Sequence, residues 1–466
     1  MTNEGSNTYL KHHDGEFLED LRSVLAQPSI SATGEGIDRC AELVRGLCLE
    51  YGFDEAEIFQ TPGCPAVIAH ATADDSNGGR EGTGSTVLLY GHYDVQPATE
   101  SEWQSPPFEP TVRAGPDGIP RLFARGAGDN KGQWFAHLCA VRSLHETSGL
   151  PTDVTLVIEG EEESGSKHLG WLVDEHREKL DADVAIVADG PIDESGRPHV
   201  LLGARGLLYV DIEATGANRD LHSGNFGGPV PNPATEIVEL LASLRDDGRI
   251  TLDGFYDDVR PLTDRDREVL STIPFDEAGA RADLGLTAFA TDPEESYTER
   301  LLIRPNLNVA GVAAGYHGVG MKTIIPSHAS AKIDFRLVAD QDPDEIFEAL
   351  SRHVESTTSD GIDVELDQVA TMRPQRTPAD SPVVEPTMRA VREGWDADPI
   401  LKPSLGGSVP MYVFSDALDV PCLVVPYANA DENNHAPDEN IALPCFRAGI
   451  KTTVALFEEL SEISND

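Results

Sequence analysis

Three consecutive acids, Glu161, Glu162 and Glu163, lie in the run Glu159-Gly-Glu-Glu-Glu-Ser-Gly-Ser166, directly after the apolar stretch Asp153-Val-Thr-Leu-Val-Ile158. Adjacent carboxylates repel one another unless water or a cation neutralises them, and a strand end in a protein interior offers little water. A bound metal is the simplest chemistry such a run supports. Other candidates share the setting. Ser85-Thr-Val-Leu-Leu-Tyr90 runs into Gly91-His-Tyr-Asp-Val-Gln-Pro97. In extended chain His92 and Asp94 face the same way, so Asp94 can accept the second ring N–H of His92 and fix the metal-binding tautomer. A lone pair of this kind is more often a core or turn histidine.

Phe123-Ala-Arg-Gly-Ala-Gly-Asp-Asn-Lys-Gly132 precedes a helical pattern from Gln133 to Leu144. There Asp129 is placed either to cap the helix or to bind a cation. A phosphate loop is not matched, because the four-residue gap before Gly-Lys-Ser/Thr is missing. The apolar run Ala182 to Ala188 ends in Asp189-Gly190, an ordinary turn or a further ligand. His435 sits in the polar loop Asn433-Asn-His-Ala-Pro-Asp-Glu-Asn440. Together these make two histidines and three carboxylates on loops that one sheet would present at one edge, where α/β sheets bind ligands.

The elements that must carry them follow from periodicity. Helical spacing is read over Gly15 to Leu25 and Gly36 to Tyr51, a strand over Pro65 to His70, and a turn over the Gly- and Asp-rich stretch Thr72 to Gly84. Apolar strands alternating with helices, including His168 to Glu178, predict an α/β fold with a mainly parallel sheet covered on both faces. After Arg205 the pattern changes. Gly206 to Ala214 alternates like a strand with one solvated face. A helix (Ala234 to Leu244) and an acidic irregular stretch to about Arg300 follow. Strands Leu307 to Ala314 and His328 to Val338, a helix Asp344 to Ser356 and a strand Val364 to Met372 complete the segment. The order βαββαβ predicts an inserted α+β, ferredoxin-like domain at 206–378, dividing the first domain into 1–205 and 379–466. Pro382 to Trp395, Val420 to Val425 and Pro444 to Leu460 resume that domain.

Composition narrows the function. The 466 residues carry 81 acidic and 35 basic side chains, 8 of them Lys, for a formal net charge of −46. Such a field opposes binding to nucleic acid and to anionic membranes, and it keeps a protein dispersed where salt screens it; a salt-rich cytosol is the expected setting. The sequence opens without a basic, apolar leader and contains no run near the ~20 apolar residues of a membrane span, so a soluble, cytoplasmic protein is expected. Six scattered cysteines without a Cys-x-x-Cys pair fit reduced, buried thiols.

His92-x-Asp94, Asp129-Asn-Lys-Gly132, Glu161-Glu-Glu-Ser-Gly-Ser166, Asp189 and His435 resemble the metal-site motifs of the M20 metallopeptidases. That family includes carnosinase-like dipeptidases, carboxypeptidase G2, aminoacylase and succinyl-diaminopimelate desuccinylase. The similarity extends from about Phe17 to Leu460, and Gly91 to Pro97, Glu162 to Ser166 and Asp220-Leu-His-Ser-Gly224 look closest to the dipeptidases. The resemblance implies a zinc-peptidase catalytic domain with an inserted lid and dimerisation domain. It implies two divalent ions, zinc or alternatively manganese or cobalt: one held by His92 and Asp189, one by Glu163 and His435, with Asp129 shared. Asp94 would orient His92, Glu162 would be the general base, and the Asp129-Asn130 peptide bond would be cis. His222, reaching over from the partner of a homodimer, would stabilise the oxyanion. Arg336, Asn308 and the loop Gly406, Gly407, Ser408 would bind the substrate carboxylate. The implied reaction is amide hydrolysis of dipeptides or short peptides with a free C-terminal carboxylate. An N-acyl or N-succinyl amino acid deacylase on the same metal core, and a silent peptide-binding homologue, are the alternatives.

Overall fold

The computed structural model describes residues 3–74, 85–290, 295–461 and 463. Most of the turn expected over Thr72 to Gly84 lies outside them, as does a short piece of the acidic stretch, 291–294.

Eight strands form the main sheet, in the spatial order Glu55–Phe59, Ala66–Ala71, Asp153–Glu159, Thr86–His92, Val184–Val187, Cys422–Val424, His199–Leu201, Ile400–Lys402. The three apolar runs before the acidic, histidine and Asp189 loops lie side by side and parallel: Thr86–His92 pairs with Asp153–Glu159 on one edge and Val184–Val187 on the other. Their carboxyl ends therefore open on one side of the sheet. Cys422–Val424 and Val184–Val187 are also parallel, as are the pair His199–Leu201 and Ile400–Lys402. The remaining three pairings are antiparallel, so the sheet is mixed, with a parallel centre. One reason lies in the chain: Phe59 and Ala66 are too close in sequence for a crossover helix, which leaves a hairpin-like return.

Both faces are covered. Val87 and Leu89 enter a core with helices Asn3–Leu25, Ile37–Glu50, Lys131–His145, Val384–Trp395 and Leu443–Leu460. Leu88 and Tyr90 face the other way, towards Leu169–Glu175 and Tyr412–Leu418. All four are fully buried, as the uninterrupted apolar run requires. The first helix begins well before the expected Gly15, because that glycine is tolerated on its exposed face.

A second sheet has the order Asn306–Ala314, His328–Leu337, Gly206–Thr215, Asp363–Met372, antiparallel throughout. Leu208, Val210, Ile212, Ile333 and Phe335 pack beneath helices Pro233–Ser243 and Pro343–Thr357 in a core of their own, leaving Asp211, Asp334 and Arg336 on the opposite face. The acidic stretch is not irregular as expected. It contains helices Asp264–Thr272, Glu277–Asp283 and Tyr297–Ile303, each started by a side chain (Thr263, Asp276, Ser296) that accepts a backbone N–H. Polar side chains of the kind that suggested a solvated loop, Asp276 among them, act as helix starts. All six cysteines are free, five of them buried.

Candidate metal centre

Sequence positions as distant as 92, 129, 163, 189 and 435 meet at the carboxyl edge of the parallel strands. His92 Nε2 lies 3.0 Å from Asp129 Oδ1 and 3.8 Å from Asp189 Oδ2. His435 Nε2 lies 3.1 Å from Asp129 Oδ2 and 2.9 Å from Glu163 Oε2. Two trios result, His92, Asp129, Asp189 and Asp129, Glu163, His435, with Asp129 turning one oxygen to each. Donor atoms on one tetrahedral ion with ~2.0–2.1 Å bonds stand about 3.3 Å apart, so both trios have the donor types and spacing of a cation shell. Glu162 belongs to neither; its Oε2 is 4.0 Å from His92 Nε2.

The neighbours show how each is held. His92 Nδ1 is 3.1 Å from the Asp94 main-chain carbonyl and 3.4 Å from its carboxylate, so the backbone is the nearer acceptor. The Asp94 carboxylate instead receives the N–H groups of Glu162 and Glu163, both at 3.1 Å, and so fixes the acidic loop against the histidine strand. Asp129 does not cap the helix behind it. The cap position is Asn130, whose side chain accepts from His92 N–H and donates to the Ala188 carbonyl, joining three ligand-bearing segments. The Asp129–Asn130 peptide bond is cis, as the resemblance implies. Gly91 is required here: a Cβ would stand 2.7 Å from Asn130 Oδ1 and 2.8 Å from Trp134 Cβ.

Several functional contacts had no part in the sequence reading. Glu439 accepts from the N–H groups of Gly128 and Asp129 (3.1 and 3.0 Å) and pairs with Arg125 at 2.6 Å. Gln96 donates to Glu163 Oε2 at 2.9 Å. Gln133 donates to the carbonyls of Gly128 and Gly190 and accepts from Tyr427 N–H. Gln96 and Glu439 lie inside motifs quoted above, which was the available signal. Glu159 and Glu161, unplaced by sequence, are buried anchors. Glu161 accepts from Cys64 N–H, His168 N–H and the His168 ring, and Glu159 accepts from Tyr90 and Ser166 hydroxyls.

So many buried carboxyls disturb one another. Burial, then Asp129, pushes Asp189 up to about 7. Burial also drives Glu162 well above the usual carboxyl range, against the pull of His92 and with Asp189 and Asp129 adding to the rise. Burial lifts Asp129 too, but the imidazoles of His435 and His92 outweigh it and hold this carboxyl low. The same contacts, with Asp129 first and Glu163 second, raise His435 to about 10. A cation would replace those protons as the neutralising charge.

The remaining candidates lie elsewhere. Arg336 donates to Asp334 Oδ1 (3.2 Å) and Ser408 Oγ (3.3 Å), and Asn308 donates to the same Asp334 oxygen (3.1 Å). Asp334 thus gathers Arg336 and Asn308, and Arg336 in turn reaches Ser408 of the 406–408 loop; the position of Asp334 two before Arg336 on one strand face was the overlooked signal. His222 is exposed, in a two-residue strand paired with Ile324–Ile325, and its Nδ1 accepts from Gly224 N–H. Among the described residues no hydrogen bond or ion pair joins either group to the metal cluster.

Imidazoles and carboxylates converging where parallel strands end, with a half-buried glutamate beside them, define a metal-dependent hydrolase of the α/β class. Residues 88–459 match the family described as Peptidase family M20/M25/M40. The chain belongs to that family and is a metallohydrolase that uses divalent metal ions. It is 28% identical to the human Beta-Ala-His dipeptidase over 410 residues, 86% of this chain and 78% of that one. It is 27% identical over 457 residues to the Cys-Gly metallodipeptidase DUG1 of Candida albicans, 94% of this chain and 93% of the relative. Among solved structures, an M20 family metallo-carboxypeptidase from Sulfolobus solfataricus superposes with a TM-score of 0.84 at 35% identity, covering 96% of this chain and all of that one. Among the described residues no helix is long and apolar enough to cross a membrane.

Proposed function

We propose that the protein is a dimetal peptidase that cleaves the amide bond of dipeptides or short peptides bearing a free C-terminal carboxylate. The observation that carries this reading is the pair of imidazole and carboxylate trios sharing Asp129, with Glu162 beside them and in neither. Relatives named as dipeptidases support the substrate class. His92 and Asp189 would hold one ion, Glu163 and His435 the other, and Asp129 both; zinc suits this mixed donor set, which also accepts manganese or cobalt. When bound, the ions supply Lewis acidity that acidifies water and polarises a carbonyl.

The chain's own residues do the rest. Glu162, held near the cluster by the Asp94 contact to its N–H, takes a proton from water and returns it to the departing amine. Burial raises its pKa above the usual carboxyl range, which makes it a stronger base than a free carboxylate. The substrate carboxylate meets the fork of Arg336, with Ser408, Asn308 and the N–H groups of Gly406 and Gly407 as further donors. His222 stabilises the oxyanion in the partner subunit's site, which accords with its exposed position away from its own cluster. Residues 206–378 form the lid and dimerisation domain between 1–205 and 379–466. Val309 and Val312 lie exposed on that domain's edge strand, and Val319 and Met321 follow, at 101% and 96% exposure; exposed apolar groups at a sheet edge suit a homodimer contact. The acidic surface accords with a cytoplasmic, salt-rich setting.

Metal analysis and a hydrolysis screen at molar salt test the reading, with Glu162→Gln in parallel. The variant is expected to keep its metals and lose roughly 10³-fold in kcat. Retained activity removes Glu162 from its role. Faster turnover of N-acyl amino acids than of dipeptides moves the assignment to a deacylase.

A further inference from the structure

Arg205 stands immediately before the strand Gly206–Thr215, and its side chain turns back to the loop of Gly406, Gly407 and Ser408. Nε and Nη2 both donate to the Gly406 carbonyl, at 2.9 and 2.6 Å. The backbone repeats the grip: Arg205 N–H donates to the Gly407 carbonyl at 3.1 Å, and Leu405 N–H to the Gly203 carbonyl at 2.7 Å. On the loop's other flank, Leu301 of the helix Tyr297–Ile303 lies 3.6 Å from where a Gly406 Cβ would stand. The loop's end is tied to Arg336, whose Nη1 donates to Ser408 Oγ.

This grip is costly. Arg205 is 5% exposed, and its third nitrogen, Nη1, is buried without a hydrogen-bond acceptor. Among the described residues no carboxylate forms an ion pair with it. Burial first, and the guanidinium of Arg336 second, pull its pKa down to about 10, with Asp334 opposing. A neutral side chain could fill the same space without the desolvation penalty or the repulsion between two guanidiniums. An anion at Arg336 would offset the repulsion, and a loop held at a fixed distance from Arg336 is what recognition of such an anion needs.

We infer that Arg205 is a positioning residue for the substrate's terminal carboxylate: by clamping the Gly406 carbonyl it fixes the 406–408 loop against Arg336 and so sets the demand for a free carboxylate. The inference rests on the carboxylate role of Arg336 proposed above, and the test separates the two. Dipeptides and their C-terminally amidated forms are compared as substrates of the metal-loaded wild type, Arg205→Met and Arg205→Lys. A wild type indifferent to amidation overturns the reading of Arg336. Given a wild type that prefers the free carboxylate, Arg205→Met is expected to raise KM for free dipeptides at least about tenfold, with kcat within about threefold. Turnover of the amidated forms and metal content stay unchanged, so the preference collapses. Arg205→Lys keeps the charge but has a single donor group in place of the fork, and falls between. Should Arg205→Met fail to fold, the lysine variant carries the same comparison. An unchanged preference in a folded variant overturns the inference, as does an equal loss on both substrates or a loss of metal, since either marks a purely structural residue.

Discussion

His92 and Asp129 are buried and gripped from several directions, whereas His222 and Asn308, assigned by the resemblance to the same reaction, stand exposed. Around the cluster every ligand loop is cross-tied within the chain: Asp94 to residues 162 and 163, Asn130 to strand 86–92 and Ala188, Gln133 to Gly128 and Gly190, Glu439 to Asp129. On the second sheet one carboxylate, Asp334, gathers Arg336 and Asn308 and leaves the face open. These cross-ties hold the candidate metal ligands together through the chain's own contacts. Groups that meet substrate can be completed by the substrate, or by a second subunit, after folding.

The largest expected effect tests whether the built-in cluster is one unit. Asp129→Ala removes the residue common to both trios and should lose both ions, with activity down by more than roughly 10³-fold. Asp189→Ala touches one trio and should lose one ion. Mass spectrometry of metal content under matched loading compares them. Equal loss from both variants would mean that Asp129 belongs to one site only.

The open side is tested by mixing subunits. His222→Ala alone should cost roughly 10² to 10³-fold in kcat with metals retained, as for a lost oxyanion donor. Co-expressed with Glu162→Gln chains, it should regain activity, because one site of the mixed dimer then has an intact Glu162 and a His222 from the other chain. No recovery in a demonstrated heterodimer would place His222 in its own subunit's site.

The two regions also differed in how far the sequence could disclose them. The candidate ligand types were legible because the side chains that bind metal are few, and His92, Glu163 and Asp189 each follow an apolar strand, a pattern that local periodicity records; Asp129 and His435, in a glycine-rich run and a polar loop, carry no such signal. Asp94 shows the limit: the spacing His-x-Asp predicts proximity, and the pair is close, but the carboxylate's hydrogen bonds go to backbone N–H groups about 70 residues away, which no local pattern encodes. Gln133 was missed for the same reason, since its partners are main-chain groups that every residue possesses, and Glu439 adds to such partners a guanidinium, Arg125, far away in sequence. The acidic stretch before Arg300 was misread because Asp and Ser serve a helix start as well as a solvated loop, and packing decides between them. The strand order of the main sheet escaped too, two of its three antiparallel pairings being set by contacts between distant segments.

Protons should distinguish the cluster from the open face in solution. His435 is raised to about 10 by Asp129 and Glu163, and Asp189 to about 7 by burial and Asp129. Both groups hold protons at pH 6 that an ion must displace, so metal affinity should climb as pH rises from 5 to 8, by up to about tenfold per unit for each proton released. Calorimetric titration of metal-free protein in buffers of different ionisation enthalpy counts those protons. Binding without proton release would mean that the ions enter elsewhere. Arg336→Ala, on the open face, should leave the count unchanged.

The smallest effect concerns a residue that touches no ion. Gln96 donates to the same Glu163 oxygen that faces His435, so it chooses which lone pair Glu163 presents. Gln96→Leu keeps the volume and removes the donor. Affinity at the Glu163 and His435 site should fall about tenfold, the lower end of what such supporting contacts contribute. The His92 and Asp189 site should keep its ion. Stepwise removal by a chelator reads both affinities in one experiment. A fall confined to one site locates the order of the cluster in individual loop contacts. A fall in both would show instead that the cross-ties act together through Asp129, making the cluster a single cooperative unit in contrast to the loosely gathered face around Asp334.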